Sequence, residues 1–328
     1  MSKKNIAIFA KVHDPRCQGV ANELITWLEK NDCIPLVDEH LARHLRRQKG
    51  MTNDDIRDQA ELVVVLGGDG TLLSVARLFS SLDIPILGVN LGSLGFMTEI
   101  TLEELYPQLE RCIKGNPRIS QRMMLEVVIL RQGKQIEKRH VLNDIVINKG
   151  AIARIVDLEV KINRHTLTTF KADGLIVSTP TGSTGYSLSA GGPIVHPLMS
   201  CIVITPICPH TLTNRPIVVT DESVISIRDT SSFEGKVNLT LDGQVGFELL
   251  DDDIVEVRKA LVTTSLVVSR NRDYFRGVAH KTEVGRTVIY ADRPVHHKRS
   301  HHRLAAPLFQ ARPDHAYRRN RNRKVDHH

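Results

Sequence analysis

Leu62–Leu66 is five residues without a polar side chain, followed at once by Gly67-Gly68-Asp69-Gly70-Thr71 and a helical pattern over 72–82. A strand apolar at every position has both faces covered, as in a parallel strand between two layers of helices. Three more largely apolar runs, over 5–10, 34–37 and 84–89, alternate with amphipathic stretches over 18–31 and 101–114. The later stretch opens with Thr101 and Glu104 at capping-box spacing. The first 115 residues therefore predict an α/β domain with a Rossmann-like parallel sheet.

From about Met123 the period changes. Short runs over 125–130, 141–147, 156–162, 166–170, 175–178, 202–205, 217–219, 224–227, 237–241, 254–257 and 265–268 follow, many alternating apolar with polar. Turn residues such as Arg131-Gln132-Gly133 and Asp242-Gly243 divide them. This predicts a β-sandwich, or two sheets curled into a flattened barrel. The expected organisation is an α/β domain over 1–122, a β-sandwich domain over 123–275, and a His/Arg-rich tail over 276–328, disordered or non-native by composition.

The tail also explains the charge. The chain carries a net +7, and residues 296–328 hold nine Lys or Arg against two Asp, which is the whole excess. The folded body is neutral, so a nucleic-acid or membrane-surface role is not expected. No run approaches the 18 or so apolar residues of a membrane span, and 6–10 is too short for a signal-peptide core. Five scattered cysteines without a close pair fit reduced thiols and offer no metal-ligand spacing. A cytoplasmic protein with no metal-ligating residue of its own is the expectation.

Three motifs carry chemistry. Gly67-Gly68-Asp69-Gly70 ends an apolar strand and begins a helix, where backbone N–H groups and the helix N-terminus favour phosphate. A carboxylate there repels phosphate unless it serves a hydroxyl, which Asp69 can orient and deprotonate. A tight turn capping the next helix is the competing reading. Asn143-Asp144 lies in an apolar run, so one of two adjacent polar side chains must enter an interior or a cleft; a surface edge is the alternative. The stretch 171–193 packs small hydroxyl and glycine residues behind a strand, with Tyr186 as a flat face.

Together these runs resemble the NAD kinase family over about residues 5 to 275. The matching motifs are Gly67 to Thr71, Asn90-Leu91-Gly92-Ser93-Leu94-Gly95-Phe96, Asn143-Asp144, Asp173-Gly174, and the run from Ser178 to Thr184. They continue with Tyr186 to Pro193, Pro209-His210-Thr211-Leu212, Arg215-Pro216 and Asp242-Gly243-Gln244. The resemblance implies ATP-dependent phosphorylation of the 2′-hydroxyl of the adenosine ribose of NAD, with Mg²⁺ or Mn²⁺, in a cleft between the two domains. It also implies a homodimer or homotetramer in which a neighbouring subunit contributes to the site.

Carried over by position, Asp69 orients the hydroxyl, while Gly68, Gly70 and Phe96 lie against substrate. Asn143 and Asp144 hold adenosine, and Asp173 contacts the nicotinamide side. Thr184, Gly185, Tyr186, Ser187, Leu188 and Ser189 line the adenine side. Arg154, Lys171, Cys208 and Gln244 align with substrate-contacting positions. Three features depart from the family pattern: Asp144 stands where many relatives carry Glu, Gly185 where many carry Ala, and the tail runs long. A lipid kinase sharing the Gly-Gly-Asp-Gly element and a non-catalytic dinucleotide sensor are the alternatives.

Overall fold

The structure, a computed structural model, describes residues 3–47, 49–92, 95–149, 155–211, 213–231 and 236–270, with 274, 275, 277 and 278. The expected tail over 276–328 lies almost entirely outside them, as does Arg154.

The N-terminal half alternates strand and helix: β1 (Lys4–Ala10), α1 (Pro15–Lys30), β2 (Cys33–Val37), α2 (Glu39–His44), α3 (Asn53–Gln59), β3 (Leu62–Leu66), α4 (Asp69–Leu78), β4 (Ile86–Val89) and α5 (Leu102–Ile113). Local chemistry sets the ends. Asp14 caps α1 by accepting the Arg16 N–H, and Pro15, which has no N–H to satisfy, opens the helix. Glu104 accepts the Thr101 N–H at 3.2 Å at the start of α5. The short helices α2 and α3, capped by Asp38 and Thr52, have too few turns to show a period in the sequence. The helix expected over 72–82 instead runs Asp69–Leu78, so Asp69 is its first residue and Gly68 its N-cap.

The β-rich half contains β5 (Ile119–Arg131), β6 (Lys134–Val141), β7 (Asp144–Lys149), β8 (Val156–Ile162), β9 (His165–Ala172), β10 (Gly174–Ser178), α6 (Tyr186–Ser189), β11 (Cys201–Ile207), β12 (Ile217–Thr220), β13 (Ile225–Asp229), β14 (Val237–Leu241), β15 (Val245–Leu249) and β16 (Ile254–Val267). The strand read over 141–147 is split, with Leu142 and Asn143 between β6 and β7. The runs over 254–257 and 265–268 are one strand, β16, irregular between Lys259 and Thr263. β6 carries mostly polar or exposed residues, and β15 alternates half-buried Val245, Phe247 and Leu249 with exposed Gly246 and Glu248; neither is among the strands expected from the sequence.

The parallel core is β2-β1-β3-β4, with Ile6 beside Leu62 and Val63 beside Ile86. β16 returns to join it, Leu266 lying parallel to Ile86, and carries the sheet on through β13, β8 and β9, with β5 and β6 alongside. The second sheet is antiparallel in the order β12-β11-β10-β7-β14-β15. Leu125, Val127, Ile145, Ile147, Leu175, Val177 and Val255 fill the sandwich between the two sheets. Separate apolar clusters lie on the two faces of the parallel core, one under α1 and α5 and one under α4. Among the described residues no helix is long and apolar enough to cross a membrane.

Candidate active site

Asp69 is half-buried at the start of α4, just past the carboxyl end of β3, the position where open α/β sheets collect ligands. Its carboxylate gathers the loop after β4. Oδ2 accepts the Phe96 N–H at 2.7 Å. Oδ1 accepts the Thr98 N–H at 2.9 Å, the Thr98 hydroxyl at 2.8 Å and the Met97 N–H at 3.2 Å. Fully buried Thr98 in turn accepts from the amide of Asn90 at 3.1 Å. Gly95 makes this closure possible, because a β-carbon there would fall on Asp69 Oδ1 and Thr98 Oγ1. Asp69 therefore ties a loop to a helix and, among the described residues, leaves Oδ2 with a single donor. It does not cap α4, whose N-cap is Gly68 without a side-chain hydrogen bond.

Asn143 and Asp144 stand where β7 begins. The Asn143 carbonyl accepts the Thr179 N–H at 2.8 Å, and Gly182 lies flat against the Asn143 backbone, with no room for a β-carbon. Asn143 Oδ1 is buried without a hydrogen-bond partner among the described residues. Asp144 is 5% exposed. Burial, then the neighbouring charge of Asp242, pushes its carboxyl up to about 7. A buried amide oxygen with no donor among the described residues, beside a buried acid, can accept hydrogen bonds from ligand N–H and O–H groups.

The 179–190 segment folds over this pair. Thr179 bridges the Leu142 carbonyl and the Gly182 N–H. Ser183 and Ser187 face inward, Ser183 donating to the Pro180 carbonyl at 2.7 Å and Ser187 sharing a hydrogen bond with Thr205 at 2.9 Å. Tyr186 and Ser189 are exposed, and Thr184 and Leu188 are half-buried. At Gly185 φ is −92°, outside the left-handed region, but a β-carbon would lie 3.2 Å from the Gly182 carbonyl oxygen and against the Asn143 and Asp144 side chains, so alanine would require the turn to give slightly.

The loop 242–244 joins the two halves. Gln244 donates to the Gly70 carbonyl at 2.6 Å and accepts from Ser74 at 2.8 Å and Arg77 at 2.7 Å. Asp242 accepts backbone N–H groups from Leu142, Asn143 and Asp144 and pairs with Arg77 at 3.3 Å. Thr98, Arg77 and Asp242 were not assigned roles by sequence reasoning. Asp242 had a signal, its place in the Asp-Gly-Gln motif; Arg77 and Thr98 had none.

Beside this clamp of Arg77, Gln244 and Asp242 opens a cavity of about 960 Å³. Its lining includes apolar Phe9, Met51, Val75 and Leu78, basic Arg43, Lys138 and Arg139 together with acidic Asp38 and Glu39, and Ser74 and Arg77 of the clamp. Among the described residues no group of three or more His, Cys, Asp or Glu is placed to hold a metal ion.

The remaining assigned residues are elsewhere. Lys171 and Asp173 flank the β9–β10 corner, and exposed Cys208 follows β11. His210 donates its N–H to the Lys171 carbonyl at 2.9 Å, and its Nε2 lies 4.0 Å from Asp173. Since Asp144 pairs in register with Ser178 and Asn148 with Gly174, this second cluster sits at the opposite end of β10, roughly 15 Å away at the rise of a strand.

Residues 6–117 match the ATP-NAD kinase N-terminal domain and residues 142–269 the ATP-NAD kinase C-terminal domain. The chain belongs to the NAD kinase family. NAD kinases of Trichlorobacter lovleyi and Geobacter sulfurreducens are 65% and 62% identical to it over 282 residues, 86% of this chain and 99% of each relative. The crystal structure of yeast NADH kinase complexed with NADH superposes with a TM-score of 0.81 at 29% identity, covering 87% of this chain and 89% of that one. An NAD kinase from Archaeoglobus fulgidus in complex with ATP shares the fold, with a TM-score of 0.68 at 22% identity over 85% of this chain and 98% of that one. The α/β and β-sandwich halves are thus the two parts of an NAD kinase fold, and phosphoryl transfer is the family's chemistry.

Proposed function

We propose that this NAD kinase transfers the γ-phosphoryl group of ATP to the 2′-hydroxyl of the adenosine ribose of NAD, in the cleft between Asp69 and the Asn143–Asp144 pair. The observation that carries the reading is a tie between the Asp69 loop and a buried amide and acid. Gln244 is bonded to the Gly70 carbonyl and Asp242 to the Asn143 and Asp144 N–H groups, with Asn143 Oδ1 lacking a partner among the described residues. Asn143 and Asp144 accept hydrogen bonds from adenosine, with Tyr186 and Ser189 at the exposed lip. Asp69 Oδ2 orients the attacking hydroxyl and receives its proton. Catalysis is then mainly positioning and charge neutralisation, because phosphoryl transfer leaves side chains little covalent work.

The donor's place in this reading is the cavity beside the clamp. Its volume suits a nucleotide, its apolar residues a base and its basic residues a phosphate chain. Ser74 lies five residues, about 7.5 Å, along α4 from Asp69. A divalent ion, Mg²⁺ or Mn²⁺, would be held chiefly by the donor's own phosphate oxygens, as Mg²⁺ commonly is, and would neutralise charge there. Lys171, Asp173 and Cys208, too far from Asp144 in one chain, serve the nicotinamide side of a second copy's site in a homodimer or homotetramer. The division at residues 122 and 275 and a cytoplasmic location belong to the same proposal.

The test is formation of NADP from NAD, ATP and Mg²⁺ by purified protein, read through an NADP-specific dehydrogenase. Conversion lost in Asp69→Asn supports the reading. Absence of conversion from wild-type protein that binds NAD by calorimetry refutes it.

A further inference from the structure

The carboxyl ends of β1 and β2 are neighbours, because the two strands pair in parallel with Ile8 beside Val37. The turn after β1 carries His13, and α2, which follows β2, carries His40 and His44. Their imidazoles form one exposed group. Ring centroids lie 4.8 Å apart for His40 and His44, 6.2 Å for His13 and His44, and 6.4 Å for His13 and His40.

The backbone beneath the rings is fixed on both sides. Val12 is buried next to His13, its carbonyl accepts from the Gln18 side chain at 2.7 Å, and the Asp14 N–H donates to the Lys11 carbonyl at 3.0 Å. On α2, Leu41 and Ala42 are buried, so His40 and His44, four residues apart, share the outer face. His44 Nδ1 lies 2.8 Å from the His40 carbonyl. A carbonyl can only accept, so Nδ1 carries the proton and Nε2 of the neutral ring keeps its lone pair. A backbone carbonyl on the other ring nitrogen is the usual support of a metal-ligating histidine.

As they stand the rings meet edge to face, at interplanar angles of 72°, 87° and 75°, without a common point for an ion. The rearrangement needed is small. Zn–N bonds of about 2.0–2.1 Å put the centroids of tetrahedrally arranged imidazoles about 5 Å apart. His40 and His44 already meet this spacing, and His13 must close by about 1 Å, which rotation of an exposed side chain supplies.

We propose that His13, His40 and His44 together bind one divalent transition ion of the zinc type, with water completing its coordination. Three imidazoles select such an ion over Mg²⁺, a hard cation that takes oxygen ligands. The bound ion fastens the β1–α1 turn to α2. His40 also lines the 960 Å³ cavity, so the ion sits at that cavity's edge, on residues that the phosphoryl-transfer reading does not use.

The histidines beyond residue 278 offer competing ligands in the full chain, so the test compares variants. Full-length wild type, His13→Ala, His40→Ala, His44→Ala and His165→Ala are melted with excess Zn²⁺, with Mg²⁺ and without either. His165 is exposed on β9 and serves as the control. Wild type should melt a few degrees higher with Zn²⁺ and gain no such rise from Mg²⁺, because an ion held only by the folded chain stabilises it. Each of the three cluster variants, truncated at an exposed side chain, should melt like wild type without metal and lose most of the Zn²⁺ rise, while His165→Ala keeps it. No rise in wild type, or an equal rise in every variant, overturns the proposal. A rise lost without His40 or His44 but kept without His13 reduces the site to a helical pair and also overturns it. Anomalous diffraction at the zinc edge locates the ion directly: a peak between the three rings is expected, and peaks only elsewhere overturn the assignment whatever the melts show.

Discussion

Phe96 donates its backbone N–H to Asp69 Oδ2 at 2.7 Å across 27 residues of chain. With the three donors on Oδ1, this makes the motif's acid the keystone of the loop that faces it. A free carboxylate in that position would be mobile and repelled by phosphate, whereas four donors hold it in one rotamer. Preorganisation of this kind puts the structural cost in the folding of the enzyme, before substrate arrives.

Asp69→Asn tests both tasks. With its oxygen placed at Oδ1, the amide turns an NH₂ toward the Phe96 N–H, a donor against a donor costing about 1–3 kcal/mol. Turnover is expected to fall more than tenfold, accompanied by a lower melting temperature and with NAD affinity within a few-fold of wild type. Wild-type turnover would remove Asp69 from the chemistry.

Gly95→Ala reaches the same acid without changing it. The added methyl falls on Asp69 Oδ1 and Thr98 Oγ1, so the carboxylate must turn away or the loop must lift. Activity is expected to drop at least tenfold while far-ultraviolet circular dichroism stays native. Gly19→Ala is the control, since that exposed position inside α1 has nothing within reach of an added β-carbon; its kinetics should match wild type within a factor of two or so.

Asp144→Asn should trade binding for stability. The Asp144 carboxyl is raised from 3.8 to about 7 in the fold, so the native state holds the proton more tightly than the unfolded chain. Its favourable contribution is full below 3.8 and is lost as pH rises through about 7. Asn does not titrate, so the stability of the variant relative to wild type should improve between pH 5 and pH 8 by roughly 2–3 kcal/mol. Urea melts at the two pH values measure this, and an equal difference at both would show that the acid is not buried as described.

A chain ending at Val278 should retain full activity. The matched domains end at residue 269, and beyond it Tyr274 donates to the Val195 carbonyl at 3.1 Å, Phe275 lies against His196, and Val278 is buried. Loss of NADP formation in a truncated chain with a native melt would assign a function to residues 279–328.

Much of this protein was legible from local sequence. The apolar strand Leu62–Leu66, the Thr101–Glu104 cap and the change of period near Met123 depend on neighbours a few residues apart, and the α/β and β-sandwich classes followed from them. The Gly-Gly-Asp-Gly and Asn-Asp motifs likewise announced acceptors in special backbone settings. Tertiary structure alone decided what those acceptors meet. Thr98 finds Asp69 across 29 residues, Arg77 finds Asp242 across 165, and β16 returns to lie beside β4. It also decided that Asp144 and Asp173, both assigned to one ligand, stand at opposite ends of β10. A short window encodes periodicity and turn chemistry, but which distant groups become neighbours depends on the packing of the whole chain, where many weak apolar contacts choose one arrangement together.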